Sequence, residues 1–438
     1  MLKQESLIKK IENKTAVVGV VGLGYVGLPL AVQSAVKGYK VIGFEVNNKK
    51  VNKINNGENY IKDILNDVLK DMVLSGRLKA TSNFQFIKNV DIVLICVPTP
   101  LDKYQQPDIS YVKNSVEVIG KYLHKNMMVI LESTTYPGTT EELILPILEK
   151  EASLKCEEDF YLAFSPERVD PGNIKYKTEN VPKVVGGIQK KSTKLAAEFY
   201  KNILEVNVHE VSSPKVAEME KILENTYRNI NIGLINEMAI ICNKMNINVW
   251  EVIEAAKTKP YGFQAFYPGP GLGGHCIPLD PYYLTWKARE YNYHTRFIEI
   301  SGEINNYMSK YIVERIGAIL NRFNKPLRDS KILVLGIAYK KDIDDYRESP
   351  AIRIIENLKL QGAEVSFYDP YISVYKYKGK EYYGLDITKE KLGDYDLVVI
   401  TTEHSKYDYD FIQKNSNFIF DVRNATKDLK DRDNIELL

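Results

Sequence analysis

Residues 15–32 read TAVVGVVGLGYVGLPLAV. Ala16 to Val21 is an apolar, β-branched run that predicts a strand. Gly22, Gly24 and Gly27 follow in GxGxxG spacing, and a second apolar run, Lys40 to Phe44, ends in Glu45, 18 residues after Gly27. Strand, glycine turn and helix in that order give a pyrophosphate what it needs. The backbone can come close because no Cβ intervenes, and the helix N-terminus offers unsatisfied N–H groups to the anion. An acid closing the second strand accepts hydrogen bonds from a ribose diol and repels a 2′-phosphate, so the pattern predicts NAD rather than NADP. A glycine-rich turn without a ligand is the competing reading, and the ordered set of strand, glycines, helix and acid favours the cofactor.

Further along, DIVLICVPTP (91–100) and NMMVILESTTYPGTT (126–140) are buried-type strands that break into polar, proline-containing turns. Parallel sheets meet ligands at the carboxyl ends of their strands, which places Thr99, Thr134 and Pro137 at the cofactor crevice. FYLAFSPERVDPGN (160–173) repeats the design. Glu167 there is either a solvated loop carboxylate or a group facing the site. From Ser213 to Trp250 apolar residues recur at three- and four-residue steps (Val216, Met219, Ile222, Leu223, Thr226, Ile230, Gly233, Leu234), which predicts one long helix, a spine between domains or a dimer interface. Lys221 and Asn225, spaced i, i+4, stack on one face of it. After Asn324 the stretch KPLRDS reads as a linker, and a strand from Lys331 opens a second, smaller doubly wound sheet. Its first loop, GIAYKKDIDDYRESPA (336–351), carries Lys340, Lys341 and Arg347 where such a sheet meets ligand, which suits a phosphorylated group. The expected fold class is therefore α/β, two doubly wound Rossmann-like domains joined by a long central helix with an all-helical middle region.

The whole chain sets bounds on function. Its 438 residues suggest two or three domains. With Lys+Arg 59 against Asp+Glu 57, no bulk field draws nucleic acid or membrane. Four scattered cysteines (Cys96, Cys156, Cys242, Cys276) without a CxxC pair argue against a disulfide framework or zinc knuckle and fit a reducing cytoplasm. The charged start MLKQESLIKKIENK lacks a signal-peptide core, and no run of 18 apolar residues occurs, so a cytosolic protein is expected. GPGLGGHC (269–276) leaves three readings open: a tight turn ending in a buried thiol, half of a metal site, or a flexible wall that lets a substrate reach a nucleophile.

The ordered motifs VGLGYVGLPLA, CVPTPL, ESTTYPGTT, SPERVDPG, EKILENTYRNINIGLINEMA, YPGPGLGGHCIPLDPYYLTWKA and GIAYKKDIDDYRESPA resemble the UDP-glucose/GDP-mannose dehydrogenase family, within it most nearly the UDP-N-acetylglucosamine 6-dehydrogenases. The resemblance implies two successive hydride transfers from a sugar C6 alcohol to NAD⁺ without release of the aldehyde, on the way to cell-surface polysaccharide precursors. Cys276 matches the nucleophile. An aldehyde has a hydride to lose only after a nucleophile adds to it, so a thiolate gives a thiohemiacetal, then a thioester, then the acid by hydrolysis. Lys221 would favour the thiolate and, with Asn225, serve the oxyanion; Glu167 would position or deprotonate the hydrolytic water; Asp280 would hold a water or the lysine. Thr134 completes the catalytic set.

The cofactor set becomes Gly22, Gly24, Tyr25, Val26, Gly27, Glu45, Pro98, Thr99, Ser133 and Thr134. Arg168, Lys221, Asn225, Tyr267, Gly273, Lys340 and Arg347 form the substrate set. The implied domains are 1–205 for NAD, 206–310 for the helical middle with the cysteine loop and dimer interface, and 328–438 for the UDP-sugar. A homodimer with a UDP-sugar substrate is expected, and a metal at His275–Cys276 is not, because adjacent side chains diverge and no further ligands cluster. Leu279 in CIPLD, where UDP-glucose members carry lysine, matches the N-acetylhexosamine branch and places UDP-glucose last, without separating the gluco, galacto and manno epimers; among these the resemblance puts UDP-GlcNAc first, then UDP-GalNAc or UDP-ManNAc. A catalytically silent nucleotide-sugar or NAD sensor is the non-enzyme alternative.

Overall fold

A computed structural model describes residues 6–438 apart from 62, 63, 103, 170–172, 174 and 275. His275 and part of the SPERVDPG motif thus lie outside the described residues. The glycine-turn strand is β1 (Val17–Val21), third from one edge of an eight-stranded sheet completed by β2 (Lys40–Phe44), β3 (Leu78–Thr81), β4 (Ile92–Ile95), β5 (Met128–Leu131), β6 (Tyr161–Phe164), β7 (Lys183–Gly187) and β8 (Val208–Glu210). The order is β3-β2-β1-β4-β5-β6-β7-β8. Neighbours run parallel except at β6 and β7, which pair antiparallel through Ala163–Gly187 and Phe164–Gly186. Because side chains alternate across a strand, Val18, Val20, Ile92, Leu94, Met128 and Ile130 enter one apolar core, and Val21, Val93, Ile95, Val129 and Leu131 enter the other. Burial on both faces is why these strands are nearly unbroken apolar runs. Each such side chain contributes about 1.5–3 kcal/mol relative to exposure.

The second sheet is made of β9 (Lys331–Leu335), β10 (Glu364–Tyr368), β13 (Leu397–Ile400), β14 (Ile419–Asp421) and β15 (Ile435–Leu437), in the order β10-β9-β13-β14-β15; a hairpin of β11 (Val374–Tyr377) and β12 (Lys380–Tyr383) stands apart from it. All its neighbouring strands are parallel. The strand order reverses direction between β1 and β4 in the first sheet and between β9 and β13 in the second, and ligands of open α/β sheets lie at such points, beyond the carboxyl ends of the strands.

Helix α1 (Gly27–Val36) follows the glycine turn; α2 (Pro214–Lys244), α3 (Cys276–Ala288) and α4 (Arg296–Arg322) lie between the two sheets in sequence. The chain forms two compact units. One runs to Glu224 and includes Tyr282–Asn292; the other comprises Asn225–Pro281 and Tyr293–Leu438. The long helix is shorter than Ser213 to Trp250, the span its periodicity predicts. It stops at Lys244, Asn246 adopts a left-handed conformation at φ 56°, and Asn248 caps a separate helix, Val249–Lys257, by accepting from Trp250 N. Asparagine tolerates that conformation and makes a good N-cap, so two of them interrupt an otherwise continuous pattern. The expected apolar face also divides. Ile222, Thr226 and Gly233 are buried, whereas Val216, Leu223 and Leu234 are exposed. Among the described residues no helix is long and apolar enough to cross a membrane.

Candidate functional site

In the first unit the glycine turn is closed by backbone contacts that leave no room for a side chain. A Cβ on Gly22, at φ +89°, would lie 2.7 Å from the carbonyl oxygen of Cys96, and one on Gly27 would collide with the carbonyl of Gly22. Gly24 has open space over its Cα. The turn therefore presents bare backbone at the start of α1, a surface that fits a pyrophosphate. Tyr25 and Val26 belong to the same turn, with Tyr25 exposed. Glu45, at the end of β2, is buried beside it. Its carboxylate accepts from Leu23 N at 3.3 Å and Asn47 N at 3.0 Å, with Lys50 Nζ at 3.6 Å. These residues fit the adenosine half of NAD.

The turns after β4 and β5 lie side by side. Ser133 donates to the Val97 carbonyl at 2.7 Å, and Glu132 N and Ser133 N both bond the Ile95 carbonyl. Pro98, Thr99 and Thr134 are carried on these two turns, and the Thr99 carbonyl accepts from Tyr283 Oη at 2.6 Å. Glu167, three residues beyond β6, is half-buried and well partnered. Its carboxylate accepts from Arg168 N and Val169 N, each at 2.9 Å, and from Lys183 Nζ at 3.3 Å. Lys183 also donates to Glu132 at 2.6 Å, and Tyr200 Oη donates to the other oxygen of Glu132. Burial alone would raise the Glu167 carboxyl; the charge of Lys183, the Val169 N–H and the charge of Lys221 outweigh it and hold the group below the usual carboxylate range. Glu132 goes the other way, pushed up by burial and by the charge of Glu167 against the pull of Lys183.

Lys221 is buried on α2. Arg168 is engaged with a second acidic pair on that helix, its guanidinium bonded to Glu224 and 3.5 Å from Glu220.

In the second unit, Asn225 donates to Asp280 at 2.6 Å, both buried. Asp280, expected to hold a water or a lysine, thus receives an amide. Cys276 is the exposed first residue of α3, at the end of a loop pressed against the one that follows β9. A Cβ on Gly273 would fall 2.5 Å from Tyr339 Cβ, one on Gly274 would fall 2.9 Å from the Tyr339 ring, and Gly274 N donates to the Arg347 carbonyl at 3.1 Å. Lys340 follows Tyr339 on the β9 loop.

The β9 loop is itself anchored. Asp369 accepts from Ile337 N and Ala338 N and from His404 Nε2 at 3.0 Å, while His404 Nδ1 accepts from Asp342 N at 2.9 Å, which assigns the ring proton to Nε2. The Arg347 guanidinium lies on Asp345, its Nη2 2.6 Å from Oδ2. Tyr267 donates to Glu254 at 2.7 Å and stacks on Trp250. Among the described residues no group of three or more His, Cys, Asp or Glu is placed to hold a metal ion.

Three groups were missed by the sequence reading. Lys183 opens β7, a strand whose five residues are all buried, and a lysine in a fully buried strand was the available signal. Glu132 directly follows the apolar run of β5. Arg423, just beyond β14, pairs with Glu403 through Nε at 2.6 Å, and its guanidinium lies against Gly269 of the cysteine loop. The strand-end argument that selected Lys340 selects Arg423 equally.

Comparison with known proteins matches the chain to three models of one family: the NAD binding domain of the UDP-glucose/GDP-mannose dehydrogenase family over residues 16–204, its central domain over 215–307 and its UDP binding domain over 333–428. The chain is 39% identical over 413 residues to Protein CapL of Staphylococcus aureus, covering 93% of this chain and 95% of that one. It is 36% identical over 390 residues to a UDP-N-acetyl-D-glucosamine 6-dehydrogenase of Pseudomonas aeruginosa, covering 89% and 91%. The solved structure of a UDP-D-ManNAc dehydrogenase from Pyrococcus horikoshii superposes with a TM-score of 0.87 at 33% identity, covering 96% of this chain and 98% of that one. A bare-backbone glycine turn with a buried acid beside it, a second sheet with a basic loop, and matches to all three domains place this chain in the UDP-glucose/GDP-mannose dehydrogenase family, whose members are NAD-dependent oxidoreductases of nucleotide sugars.

Proposed function

We propose that the chain oxidises the C6 hydroxyl of a UDP-N-acetylhexosamine, UDP-N-acetylglucosamine first, to the uronate, with the balance R–CH₂OH + 2 NAD⁺ + H₂O → R–COO⁻ + 2 NADH + 3 H⁺. The observation that carries this reading is the placement of Cys276. It is exposed at the first turn of a helix, on a loop whose glycines seat against Tyr339, one residue before the basic pair Lys340 and Lys341. A helix N-terminus favours an anion, here the thiolate.

When bound, NAD⁺ would supply the hydride acceptor for each oxidation. The first converts the alcohol to the aldehyde, with loss of the hydroxyl proton. The Cys276 thiolate then adds to the aldehyde carbon; the new C–S bond leaves an oxyanion, for which Lys221 supplies charge and Asn225 an N–H donor. Departure of the second hydride gives the thioester. Glu167 takes a proton from water, the hydroxide adds to the acyl carbon, the C–S bond breaks and the thiolate is restored. Thr134, with Pro98, Thr99 and Ser133, would line the cofactor crevice, and Arg168, Tyr267, Gly273, Lys340 and Arg347 complete the substrate set. Residues 1–205, 206–310 and 328–438 would then be cofactor, central and nucleotide-sugar domains.

Leu279 favours an N-acetylhexosamine over glucose, and the likeness to the Pseudomonas protein supports UDP-GlcNAc; the likeness to the Pyrococcus structure supports UDP-ManNAc as a second reading. We place the reaction in the cytoplasm, where both nucleotides occur, with its product feeding surface polysaccharide synthesis. The exposed apolar positions Val216, Leu223, Tyr227, Leu234 and Ile241 recur along α2 at steps of seven and four, a seam suited to a second copy of the chain. Incubation with NAD⁺ and UDP-GlcNAc, UDP-ManNAc, UDP-GalNAc or UDP-glucose, following NADH absorbance, tests the assignment. UDP-GlcNAc should give the highest kcat/KM, and no turnover with any of the four would favour a nucleotide-sugar sensor.

A further inference from the structure

Three asparagines of α2 share one face, at positions 225, 229 and 236, and all are buried. Buried amides are costly unless satisfied, so their partners reveal what they do. Asn225 donates to Asp280 at 2.6 Å. Asn229 Nδ2 donates to the carbonyl of Ile277, the residue after the cysteine, at 3.0 Å. Asn236 Oδ1 accepts from Gly269 N, at the start of the glycine loop, at 3.0 Å. The segment that carries Cys276 is therefore tied to one helix before the cysteine and immediately after it.

The remaining valences of the two tethers are satisfied from α4. Ser301 Oγ donates to Asn229 Oδ1 at 2.6 Å, Asn236 Nδ2 donates to Asn305 Oδ1 at 2.9 Å, and Asn305 Nδ2 donates to the Asn229 carbonyl at 3.1 Å. Ser309 of the same helix donates to the Pro270 carbonyl at 3.0 Å. Each amide is held on both its oxygen and its nitrogen, which fixes its orientation as well as its position. Close approach of the helices is what permits this: a Cβ on Gly233 would already lie 3.0 Å from Ser301 Cβ. A loop with four glycines is floppy by composition, and a nucleophile must sit within a few tenths of an ångström of its attack geometry.

We infer that Asn229 and Asn236 are positioning residues that hold the Cys276 segment for attack on the aldehyde. This rests on Cys276 being the nucleophile, as proposed above. Only the second oxidation needs the thiol, so the two oxidations separate positioning from general damage.

The test quenches single turnovers with NAD⁺ and UDP-N-acetylglucosamine into hydroxylamine, which traps the aldehyde as an oxime. Asn229→Asp removes the donor to Ile277 and keeps the acceptor for Ser301. It should leave KM and the first hydride transfer within about twofold, slow the second by roughly tenfold to a hundredfold, and accumulate oxime. Tyr311→Phe removes a bond between the same two helices, that of Tyr311 Oη to Asn243, without touching the cysteine segment. It should lower Tm and yield no oxime. If Asn229→Asp does not fold, Asn229→Ser, too short to reach Ile277, decides on the same readout. Two NADH per acid at the wild-type step ratio, without oxime, in the Asn229 variant overturns the positioning role alone. Acid formed at the wild-type rate by Cys276→Ala overturns the nucleophile assignment, and the positioning role with it.

Discussion

Glu45 illustrates how much one residue decides. Its carboxylate is held by Leu23 N and Asn47 N at the edge of the glycine turn; if it reads the ribose, Glu45→Ala removes a ribose partner and a charge that repels a 2′-phosphate. NAD⁺ KM should rise by roughly tenfold or more and the preference over NADP⁺ should shrink, as steady-state kinetics with both cofactors would reveal. Unchanged kinetics would show that Glu45 does not read the ribose. Lys183 sets up a different experiment. Its charge is a main reason that the half-buried Glu167 carboxyl stays low, so in Lys183→Met that carboxyl rises and the acid limb of the kcat profile moves to higher pH. The same change strands Glu132 without its cation and should cost about 3–5 kcal/mol of stability in denaturant unfolding. A profile that keeps its acid limb in place would remove Glu167 from the base role. Glu45 was legible because a strand end, a glycine turn and a spacing all point to it. The Glu132–Lys183–Glu167 cluster was not, because its members come from three separate strands and meet only through the sheet order.

At the scale of the element, the helix Pro214–Lys244 carries a buried acid with no catalytic assignment. Glu218 accepts from Gly138 N, Thr140 N and Thr140 Oγ1, tying the turn after β5 to the helix. Burial, against those three donors, pushes its carboxyl up to about 7. A folded-state value above the unfolded one means that the folded chain holds its proton longer, so this contribution to stability is full below the unfolded pKa and is lost as pH rises through about 7. Glu218→Gln does not titrate, and wild-type Tm minus variant Tm should therefore decline between about pH 4.5 and 7, a free-energy change on the order of 3 kcal/mol. A flat difference would mean that the carboxylate is ionised throughout. The existence of this helix was plain from its three-and-four periodicity, and its end was not: the periodicity continues past Lys244, and only the conformation of Asn246 breaks it. Nor could periodicity assign the faces, since apolar residues occupy both a buried and an exposed stripe.

Across the whole molecule, two mainly parallel sheets carry their strand-end turns by one rule, and that rule made the α/β class readable from a few strand-ending motifs. The partners of the loops were not readable, because glycines press on Tyr339 and Arg423 through contacts between segments far apart in sequence. The exposed seam on α2 leads to a prediction at this scale. Light scattering should give twice the chain mass for the wild type, and Leu223→Asp with Leu234→Asp should give monomers, since two charges in an apolar seam must be desolvated. A wild type that is monomeric and active at assay concentrations would contradict it.

A four-electron oxidation through a thioester at residue 276 fixes which products the Cys276 variants can form. The wild type should make two NADH per uronate. Cys276→Ser, with a weaker nucleophile and a more slowly hydrolysed ester, should turn over very slowly and carry sugar bound at residue 276 in the mass spectrum of the denatured protein. Cys276→Ala should carry no adduct and stop at the aldehyde. Uronate formed by the alanine variant at a rate near wild type would contradict the account.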